Sequence, residues 1–140
     1  MSSFSIRPIG DGEDEAVIAI WDKAGLTRAH NPPQEDLDFM KESANSEVLV
    51  GVLDKEIVAT VNVCHDGHRG WMYYLAVDPE KSGSGHGKAM VGAAEVWLKD
   101  RSVRKVQLMI RPENKGVLSF YDRLGYEDNP CVLKQKWLLD

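Results

Sequence analysis

The stretch VDPEKSGSGHGKAM, Val77 to Met90, places Gly83, Gly85 and Gly87 at alternating positions between a segment of strand composition and one of helical periodicity. A glycine backbone has no Cβ, so its peptide planes can turn inward and a ligand can approach closely. The first-turn N–H groups of the next helix have no intrahelical acceptor, and the helix dipole favours negative charge there. The run predicts a phosphate-binding loop at a strand-to-helix junction. The competing reading is a plain turn, which needs one residue at φ > 0 rather than three alternating ones.

Working outward, WMYYLAV precedes the loop as a strand, and Ala89, Met90, Ala93, Ala94, Trp97 and Leu98 mark an amphipathic helix after it. Upstream, EVLVGVL and EIVATVNVC are β-branched runs separated by Asp54 and Lys55, the composition of an antiparallel hairpin. The polar loop HDGHRG leads from the second of these into WMYYLAV. FSIRPI opens the chain as an alternating strand. A helix follows, with Asp11 as its expected cap, Ala16, Val17, Ile20, Trp21 and Ala24 on one face, and Gly25 as its end. Asn31-Pro32-Pro33 reads as the start of a short acidic helix with Leu37, Met40 and Ala44 as its apolar stripe. Downstream, KVQLMI is a strand. Asn114 sits at an N-cap position before a helix carrying Val117, Leu118, Tyr121 and Leu124, Gly125 terminates that helix, and a last strand is expected near Val132 to Trp137. A meander followed by a strand-helix-strand crossover predicts an α/β layered domain: a mixed central sheet with helices on both faces.

The 140 residues fit one domain, expected to span 1–140. A net charge of −5 argues against a broad nucleic-acid footprint. Cys64 and Cys131 lack metal-ligand spacing, and no signal peptide or membrane span is read, so the expectation is a reduced, cytoplasmic protein with no metal, nucleic-acid or membrane partner.

Spacing narrows the loop's ligand. A nucleotide-hydrolysing P-loop ending at Gly87-Lys88 would need glycine at Ser82 and a hydroxyl at Ala89. A dinucleotide fingerprint would need glycine at Lys88 and an acidic residue about 20 positions on, where Gln107 stands. Both fail. Val77, Asp78 and Pro79, then Gly83-Ser84-Gly85 opening a helix, resemble motif A of the GNAT superfamily of N-acetyltransferases, V-x-P-x-x-[QR]-G-x-G-x-[GA]. Asn114 followed by LSFYDRLGY is similar to the family's N-x-x-[AV]-x-x-[FL]-Y-x-x-x-G-[FY] segment, with Phe120, Tyr121, Gly125 and Tyr126 in register. One departure stands out: Ser82 occupies the position usually held by Gln or Arg, with Lys81 or Lys88 as alternative sources of charge.

The resemblance implies the GNAT fold and transfer of an acetyl group from acetyl-CoA to a primary amine, small molecule or peptide, by direct attack in a ternary complex. It implies that Ser82, Gly83, Ser84, Gly85, His86, Gly87 and Lys88 cradle the pyrophosphate and that Leu75, Ala76 and Val77 pair with the pantetheine arm like an added strand. It further implies that a backbone N–H of that segment polarises the thioester carbonyl and that Asn114 bonds the cofactor arm. Tyr121 is the implied catalytic acid, protonating the departing thiolate; helix packing is its alternative role. Homodimers are common in the family.

The competing class is a GNAT-like module that binds acyl-CoA as a sensor or scaffold without turnover. A lysine-like amine is neutral in only about one molecule in 2,500 at pH 7, so the acceptor needs a base. WMYYLAV holds no glutamate for it, leaving His65, Asp66, His68 and Tyr73 as unassigned candidates. Trp21, Trp97 and Trp137 are expected in the core, and Trp71 at the acceptor cleft or an interface. His86 is expected to be solvent-exposed, and Glu35 to Asp38 to form a solvated helix face; if Glu35 or Asp36 faced the cleft, a cationic acceptor would be favoured.

Overall fold

The structure, a computed structural model, describes residues 3–28 and 30–139. The chain runs β1 (Phe4–Pro8), α1 (Asp14–Lys23), α2 (Pro33–Glu42), β2 (Ser46–Leu53), β3 (Glu56–His65), β4 (Gly70–Val77), a single 3-10 turn (Pro79–Lys81), α3 (His86–Asp100), β5 (Val106–Gln107) and α4 (Lys115–Arg123). It divides into two compact units, one up to Leu108 and a second from Met109 onward. The sheet and α1 to α3 belong to the first unit, and α4 to the second.

The five strands lie in the order β1-β2-β3-β4-β5. The first four form an antiparallel meander, and β4 pairs with β5 in parallel after the α3 crossover. Asp54 and Lys55 take φ of 50° and 73°, the paired left-handed turn whose twist suits a two-residue hairpin. Alternation along the strands then sorts the two faces. Val48, Val50 and Ala76 join Val17, Ile20 and Trp21 of α1 and Leu37 of α2 in one core. On the other face Gly51 lies against Met90 and Gly70 against Leu98, both of α3. Trp21 anchors the first core: its ring is fully buried, and its indole N–H donates to Thr60 Oγ1 at 3.2 Å. Deleting a buried ring of this kind costs about 3–5 kcal/mol.

Several details depart from the sequence expectations. Glu13, not Asp11, organises the start of α1. Its carboxylate accepts from the Gly10 N–H at 2.7 Å and pairs with both guanidinium nitrogens of Arg7, because its longer side chain can reach back to β1. Ala44 lies beyond α2, in the turn before β2. KVQLMI contributes only Val106 and Gln107 to the sheet. The strand expected near Val132–Trp137 does not form: a strand exists only within a hydrogen-bonded ladder, and none covers this segment among the described residues. Trp137, expected in the core, is 69% exposed, and Val132, Leu133 and Leu138 are exposed with it. Among the described residues no helix is long and apolar enough to cross a membrane.

Candidate functional site

At the end of β4, Asp78 Oδ1 accepts from the Glu80 N–H at 3.0 Å and starts the 3-10 turn, while Oδ2 lies 3.5 Å from the Lys23 ammonium of α1. The Glu80 N–H, then Lys23, hold this carboxyl below its usual range. Gly83 and Gly85 follow at φ of 87° and 80°, a region that a side chain makes costly, so the loop turns twice within three residues. Gly85 is the N-cap of α3 and supplies no side-chain cap. The first helical bond runs from the Ala89 N–H to the Gly85 carbonyl at 3.1 Å. His86, Gly87 and Lys88 therefore present first-turn N–H groups, and a Cβ added at Gly83 or Gly85 would meet open space. Gly87, expected to share the left-handed turn, lies inside α3 and is not among the positive-φ residues, because the helix already sets its backbone. His86 is half-buried rather than solvent-exposed; its ring stacks on Phe4 with centroids 4.3 Å apart. Ser82 turns its hydroxyl to the Pro79 carbonyl at 3.0 Å.

The approach to the loop is irregular in a directed way. Between the Thr60↔Ala76 and Asn62↔Tyr73 pairs, β3 has one residue and β4 has two, so β4 bulges at Tyr74 and Leu75. Tyr74 accepts φ of 53° there. Thr60 Oγ1 donates to its carbonyl at 2.9 Å, Trp21 stacks on its ring with centroids 3.9 Å apart, and its hydroxyl donates to Asp36 Oδ2 of α2 at 2.6 Å. On the opposite edge, β4 pairs with β5 at Gly70 and Trp71 and, among the described residues, no further. The Leu75–Val77 segment thus carries an edge that β5 does not cover.

At the other end of β4, Asp66 holds the β3–β4 loop. Oδ1 accepts from the His68 and Arg69 N–H groups at 2.9 and 2.7 Å, and Oδ2 from the Trp71 indole at 3.2 Å. The Arg69 and His68 amides, then Trp71, lower its pKa to about 2, which suits an anchor and makes it a weak base. His65 Nδ1 accepts from the Gly67 N–H at 3.2 Å. Burial, then nearby Cys64 and Asp66, push the Tyr73 hydroxyl up.

In the second unit, Asn114 caps α4 by accepting from the Val117 N–H at 3.4 Å. Tyr121 is 6% exposed and meets Phe120 and Tyr126 edge-on, with centroids 5.0 and 5.2 Å away. Burial pushes its hydroxyl above the usual phenol range, so it stays protonated at neutral pH.

Residues 15–126 match the family model described as Acetyltransferase (GNAT) family. The chain belongs to the GNAT acetyltransferases. It is 35% identical over 135 residues to an acetyltransferase of Pectobacterium atrosepticum, covering 96% of both chains. Its fold matches an aminoglycoside N-acetyltransferase, AAC(6')-Iy, solved with CoA, at a TM-score of 0.84 and 14% identity, over 98% of this chain and 96% of that one. It also matches the ribosomal-protein-S18-alanine N-acetyltransferase of Escherichia coli at 0.79 and 16% identity, over 91% and 79%.

Within this GNAT chain, the glycine loop fits a phosphate-bearing co-substrate: it is open, uncapped and free of side-chain obstruction at Gly83 and Gly85. Among the described residues no three His, Cys, Asp or Glu side chains gather to hold a metal ion. A groove of about 610 Å³ lies elsewhere, between α1 and the residues Thr27, Arg28 and Pro33. There Thr27 is bonded to Asp22 and Arg28 to the Gly25 and Thr27 carbonyls, and the left-handed glycines and uncapped helix start that make the loop the stronger site lie outside its lining. The Tyr74–Asp36 pair is the feature that sequence reading missed, because a bulge has no signature in strand composition.

Proposed function

We propose that this GNAT protein moves an acetyl group from acetyl-CoA to a primary amine by direct attack in a ternary complex, as a single domain of residues 1–140 and in the reducing cytoplasm. Acetyl-CoA, when bound, supplies the activated acyl group. The observation that carries the reading is the loop with two left-handed glycines at the uncapped start of α3, next to a strand edge that β5 leaves uncovered. Loop amides from Ser82 to Lys88 hold the diphosphate, with exposed Lys81 and Lys88 adding charge, since the Ser82 hydroxyl already serves the Pro79 carbonyl. The Leu75–Val77 edge takes the amide-bearing arm as an added strand, and Asn114 bonds that arm while capping α4. Tyr121, protonated at neutral pH, donates its proton to the departing thiolate. The free thiols, half-buried Cys64 and exposed Cys131, are unused.

Calorimetry with acetyl-CoA, paired with a thiol-release assay over a panel of primary amines, tests the reading. Saturable binding without magnesium and amine-dependent CoA release are expected. Binding with no release above background would identify the scaffold module instead.

A further inference from the structure

We propose that the Asp36–Tyr74 pair is the docking point for a second, non-reacting cation of the acceptor, which makes the substrate a di- or polyamine. The inference rests on the acetyl-transfer reading above, and it adds the substrate class. Tyr74 sits at the β4 bulge, one residue before the Leu75–Val77 edge assigned to the donor. Three contacts fix it: Thr60 on its carbonyl, Trp21 against its ring, and Asp36 on its hydroxyl at 2.6 Å. The phenol is a donor here, because burial and the adjacent carboxylate push its pKa up and keep it protonated. Asp36 thereby gains an oriented Oδ2 and keeps Oδ1 for another donor.

The charge around Asp36 supports an external cation. Among the described residues the ion pairs join Arg7 to Glu13, Lys23 to Asp78 and Lys41 to Asp14, and Asp36 is in none of them. Its helix neighbours differ: Gln34 bridges Asp14 and Asp38, and Glu35 is exposed. An anion beside the attacking nitrogen would favour its ammonium form and reduce the neutral fraction that reacts. The carboxylate therefore suits a nitrogen that remains charged while a different one reacts, and a charge-assisted hydrogen bond in a half-buried setting selects for it.

The test compares 1,3-diaminopropane and spermidine with 3-aminopropan-1-ol, which keeps one amine and replaces the second cation with a hydroxyl. The wild type is expected to prefer the diamines in kcat/KM. Asp36→Asn, whose amide oxygen still accepts from Tyr74, should cut that preference by about ten- to a hundredfold, chiefly through KM. The aminopropanol rate should stay near wild type, and Asp36→Glu should restore part of the preference. Tyr74→Phe, checked by thermal melting, should lose part of it, whereas the exposed-neighbour control Glu35→Gln should keep it. An unchanged preference in Asp36→Asn, or a wild type indifferent to the second charge, overturns this inference while leaving acetyl transfer standing. Failure to bind acetyl-CoA overturns both.

Discussion

Tyr121 combines two properties that general-acid chemistry requires, a proton retained at neutral pH and a ring held in place by Phe120 and Tyr126. Phenylalanine at this position keeps the ring contacts and removes only the hydroxyl. Tyr121→Phe should lower kcat by about a hundredfold or more, the scale of a lost general acid, with the acetyl-CoA dissociation constant and the melting temperature close to wild type. An unaltered kcat would leave Tyr121 as a packing residue. Its place on α4 was legible in the sequence because the Asn114-to-Tyr126 spacing carries it. Asp66 was legible as a polar loop residue near β4, but its three donors, which make it an anchor, come from backbone folding that spacing does not encode. Tyr74 was invisible as anything but a strand residue, since its φ of 53° depends on β3 being one residue short opposite it.

Elements written in local chemistry were read well, and those decided by partners were not. The Asp54-Lys55 turn, the Pro33 start of α2 and the Asn114 cap each depend on a few adjacent residues. The two-residue length of β5 and the missing strand near Val132–Trp137 depend on ladder partners that periodicity cannot supply. The loop and α3 provide a test with opposite signs in one element. Gly85 is left-handed and Gly92 lies within the α3 helix, and an added Cβ meets nothing within 4 Å at either. Backbone preference alone therefore decides. Gly85→Ala should destabilise by about 1–2 kcal/mol and weaken acetyl-CoA binding, while Gly92→Ala should stabilise by about 0.5–1 kcal/mol and leave binding unchanged. Denaturant melts and calorimetry on the two variants check this, and a shift of the same sign in both would show that steric surroundings, not φ, control the loop.

At the scale of the molecule, the meander, the crossover helix and the position of the loop at the end of β4 follow from the hydrophobic pattern, and the acid stability of the fold follows from where its carboxylates are tied. Glu13 clamps β1 to the start of α1, Asp14 joins α1 to Lys41 of α2, Asp66 holds the β3–β4 loop, and Asp78 links the end of β4 to Lys23 of α1. All four are held below their ordinary pKa, Glu13 falling from 4.5 to about 2 through Arg7 first and the Gly10 amide second. A carboxylate with a depressed folded pKa binds protons more readily when unfolded. Its contribution is therefore complete above the unfolded value and is lost as pH falls toward the folded one. The melting temperature should be level in its carboxylate contribution from pH 7 to about 5, then fall through the window between 4.5 and about 2 set by Glu13. Glu13→Gln should melt lower than wild type at pH 7, by on the order of a few degrees for a partly exposed pair, and should lose less on acidification. The two curves should thus draw together below pH 4.5 and converge near the folded value of about 2. Curves that stay parallel from pH 7 to pH 3 would mean that the Arg7–Glu13–Gly10 clamp contributes nothing to stability through its charge.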